Sequence, residues 1–253
     1  MYELSLLTVS LLLVTGFLAG MINVLAGGGS NLTLPALMVM GLPADIANAT
    51  NRVSIFLQSV TAVTGFHKHG KLDMPDLRKI LGVTVVGGLF GALTASYMPQ
   101  GLLKPVLLSA MVIMAGIILF KPSAVAPPEG TPPRGLTDSP SSIPLLLLAG
   151  FYGGFVQAGV GFILIAAIAG GLRYDLVRTN ALKVACSLAF TAIALLVFIA
   201  NDQILWVPGL ILALGSIVGA HMAVKITINL SHKALKWILF VMTIIASGFA
   251  LFS

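Results

Sequence analysis

The stretch 16–43, GFLAGMINVLAGGGSNLTLPALMVMGLP, sets three adjacent glycines, Gly27, Gly28 and Gly29, inside a run otherwise apolar enough for a membrane interior. Segment 4–26 before them already has the length of a bilayer span, whereas only about ten mostly apolar residues separate them from Gly41-Leu42-Pro43. This imbalance predicts a broken, re-entrant hairpin in place of a plain crossing. Unpaired backbone at membrane depth is tolerated only where protein buries it or where it lines a watery cavity, so the break marks a candidate binding site.

Composition places the whole chain in the same class. Its 253 residues are 58% hydrophobic and 9% charged, with a mean hydropathy of +1.04, which excludes an ordinary soluble domain. The leading run 4–26 is too long for a signal-peptide core and lacks a basic flank, so it is expected to belong to the membrane domain. The single Cys186 excludes an internal disulfide, and no Cys/His metal pattern or nucleotide loop is present, so neither metal nor cofactor is expected. The net charge of +6 does not indicate nucleic acid, because the cations fall in short loops between apolar spans. The expected partners are the lipid bilayer and a small anionic substrate, and a homo-oligomer is compatible with the sequence.

Spans are expected at the hairpin 4–41, then at 46–66, 80–98 and 105–120, at a second hairpin 143–171, and at 176–200, 204–224 and 235–252. Cations cluster in loop 67–79 (Lys68, Lys71, Arg78, Lys79), in loop 171–178 (Arg173, Arg178), in loop 225–236 (Lys225, Lys233, Lys236) and in the linker (Lys121, Arg134). The positive-inside rule assigns all of these to the cytoplasm and both termini to the outside. Each hairpin then starts and ends on one side, and three crossings follow it. An odd number of crossings per half inverts the second half. The expectation is an all-α polytopic membrane protein built as an inverted repeat, with a first repeat at 1–120, a Pro-rich linker at 121–142 and a second repeat at 143–253. The linker, which contains PPEGTPPRGLTDSPSS, is expected to be extended or disordered and to act as a tether.

Internal similarity supports duplication. The run from Gly16-Phe17-Leu18-Ala19-Gly20 through Asn23 matches that from Gly150-Phe151-Tyr152-Gly153-Gly154 through Gln157, and Gly27 then falls on Gly161. Thr50-Asn51 falls on Thr179-Asn180, and Gly87/Gly91 on Gly215/Gly219, in the same order. The glycine pairs are small-xxx-small faces that let helices pack closely.

The polar residues of these segments are the candidate site. Around the first break stand Asn23, Ser30, Asn31 and Thr33, and around the second stand Gln157, Gly159 and Gly161. Half-helices that begin near the midplane offer free N–H groups and a positive dipole end, which suit an anion; the alternative is that the glycines only permit close packing. Thr50-Asn51-Arg52 and Thr179-Asn180 with Lys183 open the first full span of each half. Arg52 and Lys183 can turn inward toward an anion or snorkel to the headgroups. All eight carboxylates lie in loops or at span ends, so no buried acidic relay is evident, and Asp45 and Asp175 read as helix caps. No nucleophile–base constellation lies at membrane depth, which disfavours an enzyme.

The ordered, duplicated motifs carry a resemblance to a known family. These are Gly16-x-x-x-Gly20 leading to Gly27-Gly28-Gly29, Pro35, Gly41-Leu42-Pro43, Ala49-Thr50-Asn51, the run from Gly150 to Gly161, and Thr179-Asn180-Ala181-Leu182-Lys183-Val184. Over essentially its whole length the chain resembles the sulfite exporter TauE/SafE family, also called the toluene sulfonate uptake permease family. The resemblance implies a bacterial inner-membrane carrier of sulfur oxoanions or small organosulfonates, with Asn23, Asn51, Gln157 and Asn180 in the family's signature segments. Arg52 stands where a small or apolar residue would be expected. A passive anion channel lined by the two hairpins is the alternative.

Overall fold

A computed structural model describes residues 5–72, 74, 76–120 and 131–230. The expected span 235–252 lies outside them, as do Glu3, Asp73, Lys121, Glu129, Lys233 and Lys236. Among the described residues the fold is all-α. Its elements are α1 (Leu6–Leu25), α2 (Ser30–Val39), α3 (Ala44–Lys68), α4 (Leu77–Tyr97), α5 (Gln100–Phe120), α6 (Ser142–Phe155), α7 (Val160–Ile165), which continues as one π-helical turn (Ala166–Gly171), α8 (Leu176–Ala200) and α9 (Trp206–Asn229). Helices α1, α4, α8 and α9 are long and apolar enough to cross a membrane. Their outward faces are greasy, with Leu11, Phe90, Leu196 and Leu214 exposed, as a lipid-facing surface requires.

Helix α3 is equally long but differs in kind. It carries Asn48, Thr50, Asn51, Arg52, Ser54, Gln58 and Ser59, all buried. Polar side chains in a membrane protein turn inward to find partners, so this polarity makes α3 the central helix of the first half. It packs against α8 and α9.

Both predicted hairpins fold back on themselves. In the first, Ala26 and Gly27 both donate their N–H to Ile22 O (2.7 and 2.9 Å), and Gly27 takes φ +100°, the left-handed conformation that stops a helix. Helix α2 then returns along α1, so that Leu37 and Leu42 share a buried cluster with Leu12. In the second, Val156 and Gln157 donate to Tyr152 O (2.8 and 3.0 Å), and the chain returns until Gly171 lies against Ser142 at the start of α6.

Glycine faces set the helix contacts. A Cβ on Gly16 would stand 2.2 Å from Leu212 O, and one on Gly20 would stand 2.3 Å from Ser216 O, so α1 and α9 pack backbone to backbone in the same direction. Gly150 on Thr84 and Gly154 on Gly88 do the same for α6 and α4. Thr50 contacts Leu205, and Ser54 contacts Ser216 at 2.8 Å, so α3 runs with α9. Gly88 on Phe190, and Ser96 with Gln203, set α4 running with α8. Ser96, near the end of α4, thus reaches Gln203, while Leu205, two residues on, reaches Thr50 near the start of α3. The set α1, α3, α9 therefore runs opposite to the set α4, α6, α8.

The described part of the linker is not a loose tether. Arg134 N donates to Leu172 O at 2.8 Å, Leu136 N donates to Asp76 Oδ2 at 2.8 Å, and Leu136 is buried beside Leu72, Met74, Ile80 and Tyr174. The linker's described residues before Ser142 form no helix, and a buried leucine and two hydrogen bonds from backbone N–H groups hold them to both halves.

Candidate functional site

The two breaks touch. Gly161 N donates to Gly27 O at 3.3 Å, and a Cβ on either glycine would lie 2.2–2.3 Å from the Cα of the other. Only glycine at both positions allows the backbones this close. Around this contact Gly28, Gly29, Ser30, Asn31, Asn51, Arg52, Gln157, Gly159, Gly161, Asn180 and Lys183 are all buried. The breaks are therefore brought together, as the repeated pattern predicts.

Both cations turn inward. Arg52 is 0% exposed and Lys183 1%, which settles the choice between snorkelling and burial. Each reaches the hairpin of the opposite half. Arg52 Nη1 donates to Gly153 O and to Gln157 Oε1, while Nη2 donates to Gly154 O (2.8 Å), Phe155 O (3.2 Å) and Asn48 Oδ1 (3.3 Å). Its guanidinium also lies over the Phe198 ring, 5.5 Å from the centroid. Lys183 Nζ donates to Val24 O and to Asn180 Oδ1, both at 2.8 Å. The last carbonyls of a helix have no partner within it and form its negative pole, so a cation there is the favoured cap. Among the described residues neither cation has a carboxylate partner, because the ion pairs there are Lys79–Asp76 and Arg178–Asp175.

The amides around the breaks differ in how they are used. Asn51 accepts from Thr33 Oγ1 (2.7 Å) and donates to Ser30 Oγ (3.2 Å), which fastens α2 to α3. Gln157 takes φ +68°, an unusual conformation for a residue with a side chain, and is held there by Arg52 and by Thr191 (3.3 Å). Gly159, at φ +77°, completes the turn into α7. Asn31 is buried with both side-chain polar atoms unpartnered, and Arg52 Nε and Asn180 Nδ2 are likewise buried without a partner. Native interiors rarely leave such groups unsatisfied.

Two of the predicted residues are engaged elsewhere, and a third, Asn23, lies against the first break, where a Cβ on Gly29 would meet its Cβ at 3.0 Å. Thr50 Oγ1 accepts from Leu205 N at 3.0 Å and joins α3 to α9, Thr179 Oγ1 donates back to Tyr174 O at 3.1 Å, and Asn23 stays inside α1, half-buried. Asn23 and Gln157 therefore do not occupy like positions, because α6 ends at Phe155, a turn earlier than the glycine register implies. Asp175 caps α8 through Arg178 N (2.9 Å), as expected. Asp45 does not cap α3; it accepts from Gln100 at 2.9 Å and links α3 to α5. Asn48 was not among the predicted site residues. It donates to Phe155 O at 2.9 Å, and its signal was its position four residues before Arg52, on the same helical face.

The model of the family described as sulfite exporter TauE/SafE matches residues 12–250. The chain belongs to that family. Similar proteins cover nearly its whole length. The probable membrane transporter protein YfcA of Escherichia coli (strain K12) is 25% identical over 98% of this chain and 91% of its own. The probable membrane transporter protein ORF9 of Sinorhizobium sp is 24% identical over 96% of this chain and 92% of its own. A probable membrane transporter protein of Haemophilus influenzae is 25% identical over 92% of this chain and 91% of its own. Membership of the TauE/SafE family and the apolar helices together make this chain a membrane transporter protein.

Proposed function

We propose that this TauE/SafE member is a secondary transporter. It moves a small anion, a sulfur oxoanion or organosulfonate of the sulfite type, across the bacterial inner membrane by alternating access. The observation that carries the reading is the burial of Arg52 and Lys183 at two touching hairpin breaks, where carbonyl dipoles and neutral amides surround them. Two buried cations offset only by partial charges leave a positive field, which an anion neutralises. The groups that line or frame the site are drawn from both breaks and from the spans beside them: Ser30, Asn31, Asn51, Arg52, Gln157, Asn180 and Lys183, with the backbone of Gly27–Gly29, Gly159 and Gly161.

Helix directions support an inverted repeat as the moving framework. The pairs α1/α6, α3/α8 and α4/α9 each place one member in each of the two opposed sets. Loop cations then orient the protein with Lys68, Lys71, Arg78 and Arg173 in the cytoplasm and both termini outside. Alternating access follows from rocking one half against the other around the fixed breaks.

The test is a thermal-shift screen of purified protein against sulfite, sulfate, thiosulfate, sulfoacetate, taurine and non-sulfur carboxylates. A ligand at a hundred times its Kd adds about 2.7 kcal/mol to stability, a readily measured shift. Stabilisation by carboxylates alone would remove the sulfur assignment. Flux in liposomes that never saturates with substrate would replace the carrier with a channel.

A further inference from the structure

The duplicated pattern implies two equivalent breaks, but their hydrogen-bond inventories differ. Building on the anion reading above, we propose a division between the two cations. Arg52 is a structural latch, whereas Lys183 and Asn180 are the specificity-determining anion ligands, so the substrate is held on one side of the Gly27–Gly161 contact.

The terminal nitrogens of Arg52 carry four N–H groups, and five acceptors surround them: three consecutive carbonyls, the oxygen of Gln157 and that of Asn48. Phe198 lies across one face of the guanidinium. Only Nε is unpartnered. An anion could gain those four donors only by releasing the C-terminus of α6 and the strained turn at Gln157 with it.

Lys183 is different. An ammonium carries three N–H groups, and its two hydrogen bonds, to Val24 O and Asn180 Oδ1, engage two of them. Those bonds also fix the orientation of Asn180. An ammonium can only donate, so the oxygen of Asn180 must face it and the amide nitrogen must face away. That nitrogen is buried and has no partner. The counterpart residue, Asn51, is closed by the hydroxyls of Ser30 and Thr33 on its own hairpin. With the first residues of α2 and α7 set on each other, the positions matching Ser30 and Thr33 are Val160 and Ile163, which offer Asn180 no hydroxyl. The open donor follows from a sequence difference between the halves. Asn31, the second residue of α2, adds a fully unpartnered buried amide at the other side of the first break.

The open groups on Lys183 and Asn180 are donors and the charge is positive, while Asn31 offers one further donor and one acceptor. The ligand that suits Lys183 and Asn180 brings several acceptor oxygens and a negative charge, which describes an oxoanion.

The test measures baseline melting and sulfite-dependent thermal shifts on the full chain in detergent, for wild type, Asn180→Asp, Asn180→Leu, Lys183→Gln and Arg52→Lys. Asn180→Asp is the decisive variant. It keeps the oxygen that Lys183 needs and adds an ion pair, so its baseline melting temperature holds, yet it replaces the open donor with a carboxylate. Sulfite affinity is expected to fall by tenfold or more, roughly the loss of one charge-assisted contact. Asn180→Leu and Lys183→Gln lose the shift as well. Arg52→Lys reports the latch: it lowers the baseline melting temperature more than Lys183→Gln does. Wild-type sulfite affinity in Asn180→Asp or in a folded Lys183→Gln overturns the assignment, as does the reverse order of baseline stability. If no anion shifts the wild type, the transport reading itself fails, a result distinct from shifts that persist in the variants.

Discussion

Substituting Gly27 and Gly161 one at a time with alanine separates conformational strain from steric overlap, because the two residues face each other but differ in backbone. A methyl on Gly161 would meet Gly27 Cα at 2.2 Å, and one on Gly27 would meet Gly161 Cα at 2.3 Å. Both neighbours are backbone atoms, so neither can rotate away, and overpacking of this kind costs about 1–3 kcal/mol. Gly27 also holds φ +100°, a left-handed conformation that adds about 1–2 kcal/mol for an L-residue. The expected losses are therefore about 1–3 kcal/mol for Gly161→Ala and about 2–5 kcal/mol for Gly27→Ala. Thermal unfolding in detergent, with saturable anion uptake measured in liposomes, gives the comparison. Gly27→Ala should melt lower and transport less. Equal melting temperatures for both variants and the wild type would show that the breaks do not touch, and the site built on that contact would fall with them.

Two further perturbations test other parts of the structure. A Cβ on Gly91 would stand 2.0 Å from Phe151 O, so Gly91→Leu should separate α4 from α6 and lower yield and melting temperature far more than Gly82→Leu, where a Cβ meets open space. Equal effects would refute the backbone contact. Asp76 accepts from Leu136 N and pairs with Lys79 at 3.1 Å, and these two interactions, the backbone N–H first, hold its carboxyl below the ordinary range. A depressed folded-state pKa gives stability that is present above the unfolded value of about 3.9 and is lost as pH falls through the folded one. Hydrogen-exchange protection of the Leu136 amide should therefore hold at neutral pH and drop in acid, and Asp76→Asn should speed tryptic cleavage after Arg134 at neutral pH. Protection that is independent of pH would rule out the clip.

The hairpins were legible because their signal is local: glycines interrupt an apolar run whose remaining length cannot cross a bilayer. Loop boundaries followed from the same length argument: α3, α4 and α8 each begin and end within three residues of their expected limits, and so does the second hairpin taken whole, from Ser142 to Gly171. The inward turn of Arg52 and Lys183 was not legible. Depth along a span is the same for a snorkelling and a buried cation, and the acceptors that decide between them are carbonyls about a hundred residues or more away, exposed only once the opposite hairpin has broken. Gln157 misled for a related reason. Matching glycines aligned it with Asn23, but α6 stops early because Arg52 holds the Gln157 turn, and a glycine pattern carries no information about that contact. The linker showed the converse: its composition describes a chain without helix, while its position depends on Asp76 and Leu136.

The crossed placement of the cations explains why the two halves depend on each other. A broken helix at membrane depth has carbonyls that neither water nor its own next turn can satisfy. Each half supplies the missing donor to the other: Arg52 on α3 serves α6, and Lys183 on α8 serves α1. The negative end of each half-helix accordingly meets a full positive charge and not another dipole. The difference between the donors then matters. A guanidinium spreads its fork over three successive carbonyls and fixes one hairpin firmly, whereas an ammonium engages a single carbonyl and keeps a proton for another acceptor. The cation of the opposite half thus grips one hairpin at three carbonyls and the other at one, an asymmetry that the duplicated glycines conceal and the two side chains create.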